Sequence, residues 1–127
     1  MGMMTDYLAN ALRNHIFRNT AYTSPATVYL ALFTVTPTES TAGTEVTGGS
    51  YARQACAWST TANPGEVSNT AAETFSAMPA CTVVAMGVMD ALTAGNLLTF
   101  GLLPTPVAYT AGQNATWAIA DILMLID

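Results

Sequence analysis

The chain has no lysine. Its positive charge rests on Arg13, Arg18 and Arg53 alone, against eight acids, for a formal net charge of −5 over 127 residues. Nucleic acid is excluded as an expected ligand, because phosphate binding draws on clustered Lys and Arg that release counterions. Charged residues make up only 9% of the chain, well below the quarter typical of soluble domains. Little surface is solvated by charge, which leaves apolar area for partners.

Metal-binding and redox residues are equally scarce. One histidine, His15, and two separated cysteines, Cys56 and Cys81, form no ligand cluster, and no D-x-D-x-D loop is present. No metal and no cofactor are expected, and the two cysteines read as buried free thiols. Gly48-Gly49 has no downstream Lys and no strand-to-helix context, so it reads as a turn or bulge, not a phosphate cradle. The eight carboxylates form no recognisable catalytic constellation, and Glu39, Glu45 and Glu66 fall in expected loops. The expectation is a protein that is not an enzyme.

Long apolar runs are missing too. The uncharged stretches 19–38 and 74–89 are broken by prolines and threonines, unlike the ~20 apolar residues of a membrane helix. No membrane span is expected. The N-terminus Met1-Gly2-Met3-Met4-Thr5-Asp6 lacks the positive region and apolar stretch of a secretory signal, and Asp6 breaks the myristoylation pattern.

What the chain does contain is Ala and Thr, together 42 residues, and period-two hydrophobic patterning. Its length suits one core, and residues 1–127 read as a single domain. Tyr7, Leu8, Ala11, Leu12, His15 and Ile16 recur at helical spacing behind a Thr5 cap, which predicts a short amphipathic helix over 5–18. His15 reads as a packed or hydrogen-bonded imidazole. After Pro25, Val28, Leu30 and Leu32 alternate with Tyr29, Ala31 and Phe33; both sets are apolar, so this strand belongs at the centre of the core, with the helix expected over one of its faces.

Residues 36–50, rich in Thr, Gly and Pro, read as an extended contact loop. Further strands are expected at 51–59, 70–77, 82–89, 96–103, 107–109, 116–120 and 122–126, with turns at 63–65, 79–80, 90–95, 104–106 and 111–114. The fold class is mainly β, an antiparallel β-sandwich or jelly-roll-like domain with a short N-terminal helix. The final apolar segment, with no Lys or Pro to guard it, also opens the prospect of edge pairing with a second copy.

Five residues stand out as loop anchors or interface candidates: Glu45, Gly48, Gly49, Tyr51 and Arg53. Arg53 is the last cation of the chain, planted in a neutral segment. Either it clamps an acid of its own chain, such as Glu45 or Glu73, or it makes an intersubunit contact. Tyr22, Tyr51 and Trp58 serve as core filling or as interface anchors.

Several separated blocks carry a family resemblance: Tyr7 to Arg18, Ala21 to Thr34, Thr44 to Gln54, Met86 to Ala91, Gly95 to Gly101, and Ala111-Gly112-Gln113 ahead of Thr116. Together they resemble a family of small tailed-phage virion structural proteins known as tail fibre or head decoration proteins. Gln113 stands where relatives more often carry an acid, and Met86, Met89 and Met124 soften this copy.

The resemblance implies a virion component made in the bacterial cytoplasm. Lacking a repetitive shaft or coiled-coil heptads, the chain is expected to be a capsid decoration or cement protein on the capsid exterior, binding the major capsid protein. The alternative is a tail-associated or tail-fibre protein that contacts the host surface; a small glycan-cleaving or glycan-binding domain is a third class. A homo-oligomer is expected, with a trimer as the working number.

Overall fold

A computed structural model describes residues 3–125. Its strands are antiparallel and fall into three sheets. The largest runs β1 (Met3–Met4), β9 (Leu97–Tyr109), β8 (Cys81–Met89), β2 (Val28–Val35) and β3 (Thr44–Glu45), with β4 (Gln54–Cys56) also paired to β2. A three-stranded sheet orders β11 (Leu123–Leu125), β6 (Glu66–Asn69) and β5 (Trp58–Thr60), and a two-stranded one pairs β10 (Ala115–Trp117) with β7 (Glu73–Phe75). One helix, α1 (Asp6–Phe17), opens the fold.

β2 is central because both of its faces are apolar. Leu30 and Leu32 join the main core with Phe75, Met78, Val83, Met86, Leu98 and Met124, residues drawn from all three sheets. Ala31 and Phe33 point the other way, into a smaller cluster with Ala85, Met89, Leu97 and Phe100. The alternation is that expected of a strand sandwiched between layers. α1 serves the Leu30 and Leu32 side: Leu8 is part of that core and Leu12 packs against it. Its cap is firmly built, with Leu8 N donating to Thr5 Oγ1 at 3.4 Å and the Thr5 hydroxyl 2.6 Å from the Leu97 carbonyl oxygen.

The helix is less amphipathic in practice than in pattern. Leu8 is its one buried residue, while Ile16 is 67% and Phe17 80% exposed. Only the first half of α1 lies on the sheet. His15 is exposed and accepts a hydrogen bond at Nδ1 from Tyr22 N at 3.3 Å.

Several expectations need correction. Residues 36–50 are not loop throughout, because β3 pairs with β2 and Val46 N donates to Leu32 O at 2.9 Å, which buries Val46. The segment 51–59 is not one strand: β4 pairs with β2 and β5 with β6, so the chain changes sheet at Ala57. The supposed turn at 104–106 lies inside the 13-residue β9. Val107 pairs with Val83 and Leu102 with Ala85, so Leu103 to Pro106 form a bulge. Prolines are tolerated there because a bulge interrupts the ladder and asks for no N–H.

β6 begins at Glu66, earlier than the strand expected from 70, and β7 covers only 73–75 of that span. The fold is held at this corner by Asn69, a residue whose pattern carries no signal. Its buried amide donates to Ala71 O and Ala118 O at 2.8 and 2.9 Å and accepts from Ile122 N at 2.9 Å, so every demand of a buried amide is met. β11 pairs with β6 as the last described strand; Ile126, the end of the strand expected over 122–126, lies outside the described residues, as do Met1 and Gly2. No described helix is long and apolar enough to cross a membrane.

Candidate functional site

The five candidate residues gather where β2 changes partners. Val28 to Leu30 pair with β4, and Phe33 and Val35 pair with β3. Between them the Leu32 N–H has no ladder partner, and the Tyr51 hydroxyl accepts its hydrogen bond at 2.9 Å. That hydroxyl in turn donates to Glu45 Oε2 at 2.9 Å. A buried backbone donor is thus satisfied by a side chain inserted into the gap between two short strands.

Arg53 completes the arrangement. Its Nε meets Glu45 Oε2 at 2.9 Å and its Nη2 meets Glu45 Oε1 at 2.8 Å, a two-pronged pair that matches a planar fork to a carboxylate. Nη1 donates to the carbonyls of Ala91 and Ala94 at 2.8 and 2.7 Å. The side chains are 10% exposed for Arg53 and 24% for Glu45. One guanidinium therefore fastens β3, the approach to β4 and the turn between β8 and β9. Arg53 acts within its own chain on Glu45, and its geometry shows no contact with Glu73.

The electrostatics agree with a locked structural network. The Glu45 hydrogen bond holds the Arg53 guanidinium above its ordinary value. Burial, with a further push from Glu45, lifts the Tyr51 phenol well above its usual range, although the bond from the Leu32 backbone acts in the opposite direction. Both groups keep their protons under ordinary conditions.

Gly48 and Gly49 form the turn that delivers Tyr51. Their φ values are +105° and +56°, a region that side chains other than glycine rarely adopt. A Cβ on Gly49 would lie 2.6 Å from Ala77 O, the carbonyl that accepts from Ser50 N at 3.0 Å. Tyr51 then stacks on Phe75 with ring centroids 5.8 Å apart, and Phe75 meets Trp117 edge-on at 5.9 Å. Tyr22, Tyr51 and Trp58 all pack against the main core, which makes them fillers here.

The other reactive groups lie apart. Cys56 is buried and its thiol is pushed up to about 12 by burial and by neighbouring Glu73. Glu73, itself buried, is raised by desolvation, with the Cys56 hydrogen bond acting against it. Cys81 is half-buried and free. Asp90 binds the backbone and side chain of Asn96 and closes its own turn. Among the described residues no group of three His, Cys, Asp or Glu could hold a metal ion. The arrangement is suited to holding loops rigid.

Residues 3–124 match the family model described as Podophage GP4 fiber I protein gp80. No curated protein matches the chain.

Proposed function

The chain belongs to the podophage GP4 fibre I protein gp80 family of phage virion structural proteins, and from that premise we propose that it is a tail-fibre component of the particle. The observation that carries this reading is the match over residues 3–124 to a family described as a fibre protein. Support comes also from the exposed apolar side chains Ile16, Phe17, Leu92, Leu102 and Ile119, which suit a module built to be covered by neighbours. A structural role needs no chemistry; binding that forms only in the assembled particle stabilises that particle by mass action.

The clamp has a place in this role. Arg53, Glu45 and Tyr51 fix the loop between β3 and β4 and the turn at 91–95, so the end of the molecule that carries Leu92 is presented in one geometry. Rigid presentation lowers the ordering cost of each contact. We infer that Glu45, Gly48, Gly49, Tyr51 and Arg53 support an interface from beneath and do not themselves form it.

Compactness and the lack of a repetitive shaft, which pointed to capsid decoration, suit a short globular fibre module equally. Immunogold labelling of intact virions tests the choice. Gold at the tail is the expected result; gold spread over the head would return the protein to the capsid exterior and the major capsid protein as its partner.

A further inference from the structure

The last turn of α1 combines two features that occur together nowhere else among the described residues. Ile16 and Phe17 are its most exposed apolar side chains, and the helix also carries Arg13 and Arg18, which form no ion pair among the described residues. Arg13 lies three and four positions before Ile16 and Phe17, so the three share one side of the helix. Arg18 is the C-cap, its guanidinium 3.5 Å from Asn14 Oδ1. A basic, apolar knob therefore projects from a molecule of net charge −5.

A complementary feature lies at the opposite end of the same helix. Met3, Pro37, Phe100 and Leu102 line a groove of about 460 Å³. Its rim carries the exposed carboxylate of Glu39. Asp6 N donates to Glu39 O at 2.8 Å, which pins this groove to the start of α1. Twelve helical residues span about 18 Å, so the knob cannot fold back into the groove of its own chain.

We propose that the last turn of α1 docks into this groove of a second copy, with Ile16 and Phe17 seated between the exposed side chains of Met3 and Leu102, above buried Pro37 and Phe100, and with Arg13 and Arg18 facing Glu39. Charge complementarity selects the occupant: two cations without an ion pair among the described residues flank the knob, and Glu39, an acid without an ion pair among the described residues, borders the groove. The contact is heterologous, knob to groove, so successive copies join head to tail and close into a ring when the rotation permits. Such a contact would serve a particle site on the tail or on the head alike.

Sedimentation velocity on the full chain across a wide concentration range provides the test. Wild type is expected to self-associate, and Phe17→Ser and, separately, Leu102→Glu each to weaken association by about tenfold or more. Both positions are exposed, and circular dichroism verifies that each variant is folded; Arg13→Glu with Arg18→Glu serves as a second knob variant. The decisive sample is a mixture, because Phe17→Ser keeps an intact groove and Leu102→Glu an intact knob. The mixture is expected to form a one-to-one pair that neither variant forms alone. A monomeric wild type, undiminished association of Phe17→Ser, or a mixture that stays monomeric would overturn the proposal.

Discussion

Arg53 and the pair Arg13 and Arg18 are the same residue type in opposite circumstances. Arg53 is nearly buried, with Glu45 on one side of its guanidinium and two carbonyls on the other. Arg13 and Arg18 lie on an exposed helix end without a carboxylate partner among the described residues. The difference shows how a chain with so few cations divides its tasks. One arginine holds the fold's loops in place, and two are left at the surface, where the proposed self-association would engage them. Charge that is engaged inside a molecule governs stability; charge left at its surface governs association.

Removing Arg53 gives the largest expected effect. Arg53→Ala leaves Glu45 partly buried and unpaired and frees two carbonyls, at a cost of about 3 kcal/mol, measurable by urea denaturation. Gly49→Ala follows: its Cβ must approach Ala77 O from a left-handed backbone, for about 2 kcal/mol. If both variants unfold at the wild-type midpoint, the clamp is not what orders this end of the molecule.

Glu73 sharpens the comparison from the acid side. Arg53 engages Glu45, and Glu73 stays buried beside Cys56 with its carboxyl raised above the ordinary 4.5. A raised carboxyl stabilises the fold in its protonated form, so that contribution is whole below 4.5 and fades as pH rises through the folded value. Glu73→Gln stays neutral and should flatten this decline in a series of denaturation midpoints from acid to neutral pH. A slope unchanged by the substitution would place the titration elsewhere.

The smallest effect on stability is expected at the helix end. Arg13→Ala with Arg18→Ala should change the unfolding free energy by no more than about 0.5 kcal/mol, while weakening self-association. A stability loss comparable to that of Arg53→Ala would erase the distinction between the two kinds of arginine.

Much of this was readable from residue pattern. The double-sided apolar alternation of 28–33 announced the central strand, and Thr5 with the helical spacing behind it announced α1. Glu45, Gly48, Gly49, Tyr51 and Arg53 could be singled out because a lone cation and paired glycines in a neutral strand require explanation. What stayed hidden depends on tertiary context. Pro104 and Pro106 look like a turn until β8 is seen to skip past them in a bulge. Asn69 looks like any polar residue until the turn at 118–122 closes over it. Nor does periodicity report how far a helix overhangs its sheet, so Ile16, which its spacing places on the apolar stripe, is exposed.

A place in the virion's fibre apparatus is tested most directly by the number of copies per purified particle. Quantitative mass spectrometry against the major capsid protein supplies it. A fibre component should be present at far below the capsid subunit's number, in a small multiple of the tail's symmetry. Copies in the hundreds, in simple ratio to the capsid subunit, would contradict the fibre reading and favour decoration of the shell.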